Sequence, residues 1–178
     1  MNPPNLLIVE DSNIVAADIA QSLVQMGYAV VGTVGSGERA LVMADQHRPD
    51  LVLMDIHLQG GMDGIEVARV LRDKLRIPVV FLTAYGEDEM FQRAKLAGPF
   101  GYILKPFEDR ELRIVVEMAL YKHQTEAELK EKYAELERFN QMAVDRELRM
   151  IELKREINEL LRAAGKPDRY RIPGETQG

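Results

Sequence analysis

The chain has 178 residues, of which 46% are apolar, room for one packed domain of ordinary size with an extension, or for two small ones. It has no cysteine, which excludes a disulfide framework and a structural thiolate zinc site and fits the cytoplasm. No apolar run approaches the roughly 18 residues of a membrane span, and Met1-Asn2-Pro3-Pro4 is unlike a signal peptide. The net charge of −6 would repel a phosphate backbone, and no basic stripe relieves it, so neither nucleic acid nor membrane is expected as a partner.

In chain order, short apolar runs alternate with segments of helical period. Strands are predicted near 5–9, 28–33, 50–54, 78–83 and 100–104, and helices near 13–26, 37–47, 64–75, 88–97 and from about 109 onward. Five βα units of this kind predict an α/β fold, a five-stranded parallel sheet wound on both faces by helices. Runs 1, 3 and 4 are apolar throughout, as strands covered on both faces should be. Asp63 followed by Glu66 predicts a capping box opening the third helix, Gly27 ends the first, and Gly98-Pro99 stops the fourth.

Four of these runs end in a polar residue: Glu10-Asp11, Asp55, Thr83 and Lys105. Parallel strands bring all of them to one sheet edge, beyond the carboxyl ends, where open α/β folds place their chemistry. Three clustered carboxylates repel one another unless a cation shares the site. Few carboxylates with no nearby thiol point to Mg²⁺ rather than zinc.

Val9-Glu10-Asp11, Leu53-Met54-Asp55, Met62-Asp63-Gly64, Leu82-Thr83-Ala84 and Gly101-Tyr102-Ile103-Leu104-Lys105-Pro106-Phe107 together resemble the receiver domain of two-component response regulators, over residues 5 to about 121. The resemblance implies a flavodoxin-like (βα)5 domain in which Asp55 takes a phosphoryl group from a histidine kinase or phosphotransfer protein. It implies Mg²⁺ held by Asp11, Asp55 and the main-chain carbonyl of His57, with Glu10 acting through water, and Lys105 balancing charge. Thr83 and Tyr102 become switch residues that reshape the face of helix 4, strand 5 and helix 5, and Lys105-Pro106 is expected to be cis. His57 and Tyr85 occupy the positions that modulate dephosphorylation in the family, and both are bulky. The loop His57-Leu58-Gln59-Gly60-Gly61 departs from the family by lacking a proline and carrying one extra residue.

From Phe107 to Ala164 there is neither glycine nor proline, so one helix about 80 Å long is possible. Leu129, Leu136, Ala143, Met150 and Ile157 recur every seven residues, with Phe139, Leu153 and Leu160 three residues after their partners, as in an a/d coiled-coil seam. Lys132 and Arg146 interrupt it, and Val144, Leu148 and Ile151 suggest a shifted stripe. The organisation expected is a receiver over 1–121, a dimerising signalling helix over 122–164 and a flexible tail over 165–178. His123 lacks the neighbours of a phosphorylated histidine and is expected on a solvated face, as is His47.

The function expected is that of a phosphorylation-switched response regulator, a signalling protein rather than an enzyme, with output through protein–protein contact. The alternatives are a phosphohydrolase with an Asp nucleophile, against which His57 stands where a second acid is needed, and a receiver fragment of a larger sensor or hybrid kinase.

Overall fold

A computed structural model describes residues 3–58, 60–84 and 93–172. The chain divides into two compact units, Met1–Glu126 and Ala127–Gly178.

The first unit is built on strands β1 (Asn5–Val9), β2 (Ala29–Val34), β3 (Leu51–Asp55), β4 (Val79–Ala84) and β5 (Gly101–Lys105), with helices α1 (Asn13–Gln25), α2 (Gly37–His47) and α3 (Gly64–Val70) between them. The sheet order is β2-β1-β3-β4-β5, and every pairing is parallel. Side chains alternate across such a sheet. Leu7, Val9, Val52, Met54, Val79 and Phe81 therefore pack under α2 and α3. Leu6, Ile8, Leu51, Leu53, Val80 and Leu82 pack on the other face, under Ile19 and Leu23 of α1 and under Leu112, Val116 and Ala119. The uninterrupted apolar character of β1, β3 and β4 has its cause here, since both faces of each are buried.

Two helix boundaries carry the local chemistry foreseen for them. Asp63 and Glu66 form the reciprocal capping box at the start of α3. Gly27, with φ of 92°, follows the last turn of α1. The third helix differs in its second half: Leu71–Leu75 forms a wider π-type turn, closed by Arg76 in the left-handed region. Of the predicted fourth helix, residues 93–96 are helical, and its earlier part lies outside the described residues.

A single helix, Asp109–Ala163, follows β5 and its cis Lys105–Pro106 bond. His123, expected on a solvated face, is half-buried and has partners in the first unit. Its Nε2 lies 3.0 Å from the carbonyl oxygen of Arg76, and its ring meets the edge of Phe100 with centroids 5.5 Å apart. His47 is exposed, as expected.

In the second unit the helix is exposed up to Met150, including the seam residues Leu129, Leu136 and Phe139. Gly165 (φ 69°) ends it, with Gly165 N donating to Arg162 O and Lys166 N to Leu161 O. Over its described residues, the segment expected as a flexible tail is hydrogen-bonded to the helix. The Asn158 side chain accepts from the backbone N–H groups of Arg169 and Tyr170 and donates to the Tyr170 carbonyl.

Candidate functional site: an acidic pocket at the carboxyl edge of the sheet

Strand register assembles the site. Val9 is level with Met54, so Glu10 and Asp11 leave β1 beside the Asp55 end of β3. Asp55 is level with Leu82, Thr83 with Leu104 and Ala84 with Lys105, which carries the hydroxyl and the ammonium to the same edge. Glu10 N donates to Val34 O and extends the ladder one residue beyond the strand. The main chain around Asp55 is held equally closely. Gly64 N donates to Ile56 O at 3.1 Å, and α3 starts so near the strand that a Cβ on Gly64 would lie 2.1 Å from the Asp55 carbonyl oxygen. Only glycine fits there.

Glu10, Asp55 and Thr83 are buried, and Asp11 is half-buried. One oxygen from each of Glu10, Asp11 and Asp55 lies within 4.8 Å of the others. Such a set of hard oxygen donors, open to water on the Asp11 side, has the chemistry of a Mg²⁺ site that retains waters, so the residues fit the ion that the sequence implied. Asp55 Oδ1 accepts from His57 N at 3.0 Å, and its Oδ2 lies 2.6 Å from Lys105 Nζ. Lys105 Nζ also lies 2.5 Å from Glu10 Oε2, while Glu10 Oε1 accepts from Ser12 N at 3.2 Å.

Burial raises the pKa of Glu10 above the usual carboxylate value, and the Asp55 charge adds to this, while the Lys105 hydrogen bond opposes it. For Lys105, burial works against the charged form. The hydrogen bonds to Asp55 and Glu10 outweigh it and raise the ammonium above the ordinary lysine value. The pocket therefore holds its ammonium charged at any physiological pH.

The structure brings together Glu10, Asp11, Asp55, Thr83 and Lys105. The Thr83 hydroxyl is 3.3 Å from the Ala84 carbonyl oxygen, and Tyr102 packs inward with its ring centroid 6.0 Å from that of Phe81 and its hydroxyl out of solvent. His57 is exposed, and its backbone N–H donates to Asp55. Tyr85 lies outside the described residues. Sequence reasoning missed two contacts. The first is the direct Glu10–Lys105 pair. The second joins Asp63 Oδ2 to Arg93 Nη2 at 2.7 Å, so the residue that caps α3 also meets the segment before β5.

This arrangement has known counterparts. Residues 6–117 match the response regulator receiver domain, and the chain belongs to that family of two-component systems. It is 37% identical over 118 residues to the transcriptional regulatory protein PdtaR of Mycobacterium tuberculosis, covering 66% of this chain and 57% of that one. Over 117 residues it is 38% identical to the regulatory protein AtoC of Escherichia coli, covering 65% and 25%. Among solved structures, the signal receiver domain of a modulated diguanylate cyclase from Desulfovibrio desulfuricans G20 superposes with a TM-score of 0.67 at 41% identity, covering 70% of this chain and 98% of that one. A putative response regulator from Chloroflexus aurantiacus gives 0.63 at 34%, covering 67% and 98%. The match to PdtaR thus spans little more than half the length of that relative. Among the described residues no helix is long and apolar enough to cross a membrane.

Proposed function

We propose that the protein is a phosphorylation-switched response regulator in which Asp55 accepts a phosphoryl group from a phosphohistidine on a histidine kinase or phosphotransfer protein. The observation that carries this reading is the position of the Asp55 carboxylate. Its Oδ2 touches the Lys105 ammonium, and it shares one cluster of carboxylate oxygens with Glu10 and Asp11.

The transfer breaks a P–N bond on the donor and forms an O–P bond on Asp55, and the departing imidazole takes up a proton. Asp55 needs no general base, since a carboxylate is already the nucleophile. Phosphoryl transfer is chiefly positioning and charge stabilisation. His57 N–H fixes the rotation of the Asp55 carboxylate, and Lys105 stands ready to pair with a phosphoryl oxygen. Asp11, Asp55 and the main-chain carbonyl of His57 would hold Mg²⁺, with Glu10 beside it, and the ion would supply charge neutralisation for the transferring oxygens. Thr83, at the next strand end, turns its hydroxyl toward the new phosphoryl group, and Tyr102 reads that movement. The long helix pairs with that of a second copy through its a/d seam, and output passes by protein–protein contact.

The test is to expose wild type and Asp55→Asn to a small phosphodonor with Mg²⁺ and follow intact mass and light scattering. A single phosphoryl adduct on the wild type, absent from Asp55→Asn, is the expected result. No Asp55-dependent adduct would overturn the reading of the pocket. A wild type that scatters as one chain before and after phosphorylation would overturn the pairing.

A further inference from the structure

Beyond Glu126, burial on the long helix is confined among the described residues to one face of its last turns. It recurs at Ile151, Lys154, Asn158 and Leu161, a 3-4-3 spacing that belongs to a single stripe. Asn158 is only 1% exposed, and both ends of its amide are spent on the backbone of Arg169 and Tyr170. Ile172 is 5% exposed, and Arg162 Nε meets Asp168 Oδ1 at 3.0 Å. Residues 166–172 thus fold back as a clasp with three kinds of hold: a buried amide, a buried aliphatic side chain and an ion pair.

The face under the clasp is not the a/d seam. Asn158 follows the seam residue Ile157 and so projects about 100° round the helix from it. In heptad terms Lys154 and Leu161 are e positions beside the seam, while Ile151 and Asn158 are b positions. Width of the apolar stripe sets how many helices meet. A strict a/d seam suits a two-stranded coil, whereas a/d widened by e suits a bundle.

We propose that the clasp limits the assembly to two chains. By occupying the face of Ile151 and Leu161, residues 166–172 narrow the apolar stripe to the seam, and a third helix finds its docking surface already filled by the chain itself. Asn158 is the specifying residue. Its amide matches a turning backbone and offers nothing to an apolar partner helix, whose approach would leave it buried without its hydrogen bonds. The proposal rests on the pairing put forward above and adds what sets its stoichiometry.

The test compares the 178-residue wild type, Ile172→Asp and Asn158→Ala by sedimentation equilibrium, with trypsin cleavage after Arg169 as an independent monitor of the clasp. The expected wild type is a two-chain species cut slowly at that bond. Both variants should be cut at least tenfold faster and should sediment as three chains or more. Faster cutting with the mass still at two chains would overturn the limiting role. Unchanged cutting would overturn the clasp. A single-chain wild type whose variants associate would instead overturn the pairing and leave the masking of this face supported.

Discussion

Lys105 Nζ lies 2.6 Å from Asp55 Oδ2, although 50 residues separate them in the chain and β4 runs between their strands. The contact exists because lysine is long enough to lean across a neighbouring strand end, and because Glu10 receives the same ammonium from the far side. Replacing Lys105 with alanine should therefore disable phosphoryl transfer without unfolding the domain. The initial rate of adduct formation under a small phosphodonor should fall roughly a hundredfold, in the range found for losing one preorganised charge partner. A rate within twofold of wild type would contradict the role given to Lys105.

The raised pKa of Glu10 has a defined consequence for stability. A carboxyl group whose folded value exceeds its unfolded value contributes stability that is complete below the unfolded value, near 4.5, and is lost as pH rises through the folded one. In the presence of a chelator, wild type should lose stability relative to Glu10→Gln as pH climbs from 4.5 toward neutrality. Urea midpoints across that range provide the measurement, and parallel curves for the two proteins would count against it. Lys105, also raised, changes its contribution only above its usual value of 10.5 and leaves this window flat.

Gly64→Ala should damage both fold and site. The added methyl would meet the Asp55 carbonyl oxygen at 2.1 Å, so either α3 or the end of β3 must move. Overpacking of this kind costs about 1–3 kcal/mol. Thermal unfolding should show a drop of several degrees, and the yield of Asp55 adduct should fall with it. Gly165→Ala, where a Cβ would meet nothing within 4 Å but φ is 69°, should cost less and leave phosphorylation intact.

Leu136→Asp combined with Phe139→Asp places two carboxylates in the seam while touching no residue of the receiver core. Light scattering should report one chain in place of two, with the rate of Asp55 phosphorylation unchanged. Persistence of the two-chain species would move the interface elsewhere.

Much of this architecture was legible because it depends on short-range signals. Apolar runs such as Leu51 to Met54 announce strands buried on both faces, and Asp63 with Glu66 announces a helix start, whatever the rest of the chain does. The strand-end residues followed once the strands were parallel. What stayed hidden depends on distances that periodicity does not encode. Glu10 and Lys105 are 95 residues apart on strands that are not neighbours, and only the reach of the lysine joins them. His123 reads as one more polar residue on a charged helix until Phe100 and the Arg76 carbonyl are seen beside it. Asn158 likewise reads as surface, since nothing in a helical pattern says that the chain will return to claim its amide. The π-type turn at Leu71–Leu75 keeps the helical composition of its surroundings, so its widening leaves no trace in the sequence.

The pocket's three carboxylates stand against a single ammonium. Fully ionised, it is therefore short of neutrality by two positive charges, the valence of the ion its oxygens suit. Phosphorylating Asp55 to an acyl phosphate would exchange a monoanion for a group that is close to dianionic, so a pocket that its metal would leave neutral would become anionic again. That unspent negative charge is a thermodynamic pull on every hydrogen-bond donor within reach, and the Thr83 hydroxyl stands at the adjacent strand end. On the function proposed above, the message begins as an imbalance of charge before it becomes a change of shape.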